Sequence, residues 1–219
     1  SFKNADLSNS IIIPHGVKKI TKINLTNKQK NILFVGKLNH AKGYDIFADA
    51  ALKFKKQNPS WNFIAIGNEA RKNIFPNKKI VKEIGYKKNS EVLNFYSKSE
   101  IAIGNSVWDE PLGRIAIEAS SRKCLPIISN KGGLAESKNI ALVLKKNNST
   151  ELFKVLKKVT SNKSFRRKKQ TLFYKNNNFN VKLISKKLDV IRNEIINKNE
   201  IKIDNSTKRV LHIANFNEN

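Results

Sequence analysis

Residues 108–136 read W-D-E-P-L-G-R-I-A-I-E-A-S-S-R-K-C-L-P-I-I-S-N-K-G-G-L-A-E: a loop with Pro and Gly, a helical run of small residues, an apolar run of strand length and a second glycine turn. Two carboxylates, Glu110 and Glu118, stand with seven residues between them, the first in the loop and the second inside the helix it opens. Pro111 has its φ preset for a first helical turn, and I-A-I-E-A-S-S carries the helix to about Ser121. The free N–H groups of Leu112, Gly113 and Arg114 are then expected at the helix start, where donors and dipole favour an anion such as phosphate. Glu118 lies about five residues further on, a rise of roughly 7.5 Å, with its Cβ tilted back toward that start. It is expected to reach a ligand beyond the phosphate.

Outward from this stretch, near-continuous apolar runs recur at 31–36, 62–67, 100–104, 125–129 and 140–144, as in strands buried on both faces. Helical patterns separate them, the clearest at 43–56, where Ile46, Phe47, Ala50, Ala51 and Phe54 share a face. Residues 79–106 read as a short strand, a turn at Gly85, a helix capped near Asn89 or Ser90, and another strand. Strand alternating with helix predicts an α/β fold, a parallel sheet with helices on both faces. Ligands of such sheets sit beyond the carboxyl ends of the strands, where Gly36, Gly67 and Gly104 fall. From 149 the chain turns helical, with Leu152, Val155, Leu156 and Val159 on one face, and the basic run 164–170 reads as a solvated helix face. Val181, Ile184, Leu188, Ile191 and Ile195 outline an amphipathic closing helix, and 197–207 a polar linker.

At Trp108, Asp109, Glu110, Pro111, Gly113, Arg114, Glu118 and Ala119, followed by Gly-Gly-x-x-Glu at 132–136, the chain resembles the signature of family 4 glycosyltransferases of the GT-B fold. The resemblance covers about residues 11–195. It implies a Rossmann-like second domain that binds a nucleotide-diphosphate sugar and transfers the sugar with retention and without a metal. Glu118 would bind the ribose hydroxyls, and Glu110 would lie by the donor sugar as the catalytic residue. The loop G-K-L-N-H-A-K-G at 36–43 resembles the family's G-R-x-x-x-x-K-G, whose cations hold the donor diphosphate. Gly36, Lys37 and Lys42 therefore join Leu112, Gly113 and Arg114 as donor-binding candidates. Lys37 replaces the commoner arginine, keeping the charge but losing the bidentate fork. Tyr86 and Lys87 are base-side candidates, with Trp108 beside the signature loop. Asn105-Ser106 stands where the family often has Pro-Ser. Lys123 occupies a place where the family commonly has glycine in a left-handed turn, which predicts either local strain or a different cap.

The resemblance also implies domain boundaries. I-I-I-P-H-G-V, ending residues 1–17, is the crossover between GT-B domains, with His15 structural or solvated near the cleft. Residues 18–178 form the donor domain, 179–196 the closing helix, and 197–219 a linker with a possible first strand of a following unit at 208–216. The N-terminal domain, which would hold the acceptor, is expected to be missing, so this fragment alone should bind donor without transferring sugar.

The 219 residues carry 39% hydrophobic content, enough for a core, and a formal charge of +26. Lys, Asn and Ile are heavily used throughout the chain, as a coding bias toward A and T would produce without selection for a partner; the competing explanation of the charge is peripheral contact with an anionic membrane. No apolar run is long enough to span one, and no export signal opens the chain, so a cytoplasmic place is expected. Single Cys124 reads as a small buried residue, and no Cys/His cluster, Asp-x-Asp pair or Walker loop points to a metal or other cofactor. The acceptor is left open among glycan, lipid-linked and protein classes. Two rival readings stay open: a sugar-nucleotide epimerase of GT-B-like fold, and a basic nucleic-acid-binding module. The latter would interleave aromatics with cations on one face, whereas the 8% aromatic residues lie mostly in apolar runs.

Overall fold

The computed structural model describes residues 13, 15–20, 22–69 and 80–199, without the side chains of 195 and 197–199. The expectations for 1–12, Pro14, the strand start at Lys79, the linker beyond 199 and the strand at 208–216 lie outside these residues.

Six strands, β1 (Gln29–Val35), β2 (Asn62–Ile66), β3 (Val81–Glu83), β4 (Ser99–Gly104), β5 (Leu125–Ile128) and β6 (Leu142–Val143), form one parallel sheet in the order β3-β2-β1-β4-β5-β6. The helices are α1 (Tyr44–Gln57), α2 (Asn89–Lys98), α3 (Arg114–Ser120), α4 (Ser149–Ser161), α5 (Lys163–Asn176) and α6 (Val181–Asn199). The sheet and α1 to α5 belong to one compact unit ending at Ile184; the described part of a second unit is the α6 segment from Ser185 onward.

Why the strands read as unbroken apolar runs is visible in their two faces. Ile32 and Phe34 of β1, Phe63 and Ala65 of β2, and Ile101 and Ile103 of β4 enter one core with α1 and α4. Leu33, Ile64, Ile66 and Ala102, the alternate residues, enter a second with Val92 and Tyr96 of α2 and Ala119 of α3. In the first core the rings of Phe34, Tyr44, Phe47, Phe63 and Phe54 follow one another at centroid separations of 5.3 to 6.3 Å. Burying each such side chain stabilises the fold by about 1.5–3 kcal/mol. Cys124 is fully buried, and burial pushes its thiol up to about 12, as suits a packing residue.

Several boundaries differ from the sequence reading. The final strand shrinks to Leu142–Val143 because Ile140 is still held in a turn, its N–H donating to Ser137 O. At the start of α2 the cap is Lys88, whose N–H is satisfied by the Glu91 carboxylate at 3.1 Å, so Asn89 is the first helical residue. Helix α6 continues through 197–199, which reads as linker in the sequence. Ser121 to Lys123 end α3 in a turn, and Lys123 has a φ of 49°, alone among the described non-glycine residues in the left-handed region. The strained lysine turn is therefore present.

The basic run 164–170 is not simply a solvated face. Arg166 and Gln170 are buried, and together with Arg167 they surround Glu100 at the start of β4. Arg167 grips both carboxylate oxygens at 2.7 Å, and Gln170 Nε2 donates to Glu100 Oε2 and to its backbone oxygen at 2.9 Å. A carboxylate in direct contact but far away in sequence supplies the partner that periodicity alone does not show. Lys28, also buried, donates to the carbonyls of Tyr96, Ser97 and Ser99, satisfying the end of α2.

The chain enters and leaves the sheet domain side by side. Val17 N–H donates to Phe179 O at 2.7 Å, and Val17 bridges Asn180.

Candidate functional site

β1 lies between β2 and β4, so the chain runs outward from it in both directions along the sheet. At such a point the connecting helices diverge and leave a crevice outside the carboxyl ends of the strands. A cleft of about 350 Å³ occupies that place, floored by Phe34, Val35 and Ile103. Three connections wall it. The β1–α1 loop brings Gly36 and Lys42, the β3–α2 segment Tyr86, Lys87 and Asn89, and the β4–α3 segment Ser106, Glu110, Gly113, Arg114 and Glu118.

Close backbone approach fixes the loop that carries Glu110. Gly133 N–H donates to Glu110 O at 2.6 Å, and Gly132 N–H donates to Asp109 Oδ1 at 3.0 Å. A Cβ at Gly132 would lie 2.6 Å from Glu110 N, and one at Gly133 would overlap Pro111 O, so both positions exclude a side chain. The Gly-Gly turn of the sequence thus acts as a mould for the Glu110 loop. The β1–α1 loop is fastened to the same region: Ser106 Oγ donates to Ala41 O and Asn105 Nδ2 to Gly43 O.

Inside the cleft four charged side chains form two pairs. Lys42 Nζ lies 2.8 Å from Glu110 Oε1 and 5.2 Å from the centroid of the Trp108 ring. Arg114 Nη2 lies 2.8 Å from Glu118 Oε1, an i,i+4 pair on α3, and Asn89 Nδ2 donates to the same oxygen at 3.2 Å. Burial pushes the Glu118 carboxyl above the usual carboxylate range, opposed by Arg114, the Asn89 hydrogen bond and Arg122. Tyr96, wholly buried, lines the cleft with its hydroxyl unpartnered among the described residues.

Of the residues singled out from the sequence, Gly36, Lys42, Tyr86, Lys87, Glu110, Gly113, Arg114 and Glu118 come together here. Lys37 is exposed and does not line the cleft. Leu112 packs against the first core instead. His15 is exposed and borders a smaller cavity with Arg114 and Glu118. Helix α3 starts at Arg114, not at Pro111, because Gly113 takes a left-handed conformation. Leu112 and Gly113 therefore precede the helix, and Glu118 stands four residues into it, a rise of about 6 Å. Sequence reasoning missed Asn89, Tyr96 and Ser106. Asn89 and Tyr96 are brought in by α2, an element other than the one bearing the two carboxylates, and Ser106 lies on the carboxylate-bearing connection but several residues before Glu110.

Three cations, two carboxylates and an apolar floor in one cleft suit a ligand that carries anionic groups, hydroxyls and a flat ring. No group of three or more His, Cys, Asp or Glu suited to a metal gathers among the described residues, and no described helix is long and apolar enough to cross a membrane.

The family model for glycosyl transferases group 1 matches residues 17–177. An uncharacterized 42.6 kDa protein in the cps region of Klebsiella pneumoniae is 28% identical over 135 residues, which cover 58% of this chain and 34% of that protein. Among solved structures, the C-terminal domain of the group 1 glycosyl transferase LpcC from Francisella tularensis superposes with a TM-score of 0.61 at 19% identity, covering 71% of this chain and 89% of that one. Anabaena HepE, solved in complex with UDP and glucose, gives a TM-score of 0.67 at 15% identity over 76% of this chain and 49% of that one. These likenesses identify the fold as that of one half of a GT-B enzyme.

Proposed function

Because this chain belongs to the group 1 glycosyltransferases, we propose that it is the domain that binds the nucleotide-sugar donor and supports metal-independent, retaining transfer of the sugar. The observation that carries this reading is the pairing of Lys42 with Glu110 and of Arg114 with Glu118 in one cleft at the switch point of the sheet. On donor binding Lys42 turns from Glu110 to the diphosphate. Lys37, exposed on the same loop, supplies a second cation by rotation of its side chain, and Arg114 and Gly113 complete the anion-facing wall. At an effective dielectric near 20, a cation about 4 Å from a phosphate charge contributes up to roughly 4 kcal/mol before desolvation. Two such cations stabilise much of the charge on the leaving diphosphate, which departs with the electron pair of its bond to the anomeric carbon. Glu118 accepts from the ribose hydroxyls, Tyr86 and Lys87 flank the base, and Glu110 lies beside the sugar ring where positive charge develops.

The UDP bound by HepE, a protein of this fold, supports a uridine nucleotide as the donor's leaving group. Rossmann-like GT-B halves face each other across the acceptor cleft, and the matched stretch covers 34% of the Klebsiella relative. By itself this chain is accordingly proposed to bind donor without transferring sugar. The charge of +26 supports work at the cytoplasmic face of an anionic membrane. A nucleic-acid role is disfavoured because Phe34, Phe47, Phe54 and Phe63 are in the core and unavailable for stacking on bases.

The test is a transfer assay on the full-length gene product with a panel of UDP-sugars and membrane extracts, run with and without EDTA. Transfer that survives EDTA and yields a product anomer matching the donor's supports the reading; an inverted anomer or loss of activity with EDTA contradicts it.

A further inference from the structure

We propose that Asn89 is a positioning residue for Glu118, and that it thereby sets the preference of the cleft for ribonucleotides over deoxyribonucleotides; the inference rests on the donor-site reading above. Asn89 is the first residue of α2, one position past the cap, so its side chain is not needed to close the helix start. Here the cap is closed by Lys88 and Glu91, and the Asn89 amide turns into the cleft instead. It meets Glu118 Oε1, which also receives Arg114 Nη2, so one carboxylate oxygen takes two donors while Oε2 accepts none among the described residues. The two anchors differ in kind. Arg114 is half exposed and rides on the same helix as Glu118. Asn89 comes from α2, next to Tyr86 and Lys87, and so ties the carboxylate rotamer to the side of the cleft proposed for the base.

The division of labour between the oxygens follows. With Oε1 held from two sides, Oε2 is the acceptor left to face ligand hydroxyls, and its direction depends on Oε1 staying held. An amide suits this role because it donates without titrating. The other charged and titratable groups facing Glu118 are Arg114 of α3, Arg122 of the turn that follows it, Tyr96 of α2 and His15 of the entering segment.

The experiment titrates the protein with UDP and with 2′-deoxy-UDP, using wild type, Asn89→Ala, Glu118→Gln and the double variant, each checked by thermal melting. Wild type is expected to bind UDP about tenfold more tightly than the deoxy compound, the size of one hydrogen bond to a charged group. Asn89→Ala should lose most of that ratio by weakening UDP alone. In the Glu118→Gln background, adding Asn89→Ala should change UDP affinity by under about twofold, since the group it positions is already altered. On acidification, UDP binding by Asn89→Ala should fail at a higher pH than wild type, because a hydrogen bond that favours ionised Glu118 is gone. An Asn89→Ala variant that keeps the wild-type ratio, or weakens both nucleotides equally, overturns the assignment while leaving the donor site standing. A wild type that binds neither nucleotide overturns both.

Discussion

Glu118 is 7% exposed, and burial raises its carboxyl above the usual range despite Arg114 and Asn89. A carboxyl raised in the folded state stabilises the fold while protonated; that stability is fully present below the unfolded pKa and lost as pH rises through the folded one. Ionised Glu118 therefore costs stability at neutral pH. Glu118→Gln is expected to melt at a higher temperature than wild type at neutral pH, with the gain vanishing near pH about 4, where both carry a neutral group. The same substitution should weaken UDP binding by about tenfold or more, since hydrogen bonds to a charged acceptor contribute roughly 1.5–3 kcal/mol. Tyr96 makes a similar case, its buried hydroxyl having no partner among the described residues. Tyr96→Phe removes an unsatisfied polar group and should raise the unfolding free energy by about 1 kcal/mol in a denaturant titration. At this scale Glu110, Glu118 and Lys42 are legible because their spacing lies within one loop and helix or one loop motif. Asn89 and Tyr96 are not, since what matters for them is reach from α2 to α3, which no local pattern encodes.

The elements hold these residues by close packing of backbone. Gly133→Ala forces the Pro111 carbonyl aside and with it the loop bearing Glu110. It should lower stability by about 1–3 kcal/mol, as overpacking does, and weaken UDP binding although no ligand-facing atom is removed. Denaturation and calorimetry on the same sample separate the two effects. At the opposite end of β4, Glu100→Ala leaves Arg166 buried without its carboxylate. Breaking a buried pair in this way costs about 3–5 kcal/mol, so this variant is expected to unfold at markedly lower denaturant while any folded fraction still binds UDP. The helical periods of α1 and α4 announce their buried faces. The start of α3 is not announced, because Pro111 suits a first turn and only the left-handed Gly113, fitted beside Leu134, delays the helix. Lys123 shows the converse, a departure from glycine visible in the sequence and found at a φ of 49°.

For the molecule as a whole, five apolar runs and the helices between them suffice to imply the parallel sheet, because strands buried on both faces lose the alternation that would suggest anything else. Strand order is another matter: placing β4 beside β1 creates the switch point, and that pairing is a long-range contact that hydrophobic pattern leaves open. The basic charge, read as diffuse, also contains the internal Glu100 cluster, whose arginines serve packing and not a partner. What the sheet order, the loops and the paired charges jointly claim is one nucleotide site at the carboxyl ends of β1 and β4. The most direct test is calorimetric titration of UDP into wild type, Lys42→Ala and Glu118→Ala, each shown to be folded. The account predicts a single saturable site in wild type, weakened about tenfold or more by each substitution through loss of a charge-assisted contact. UDP binding with equal affinity to all three proteins would contradict it.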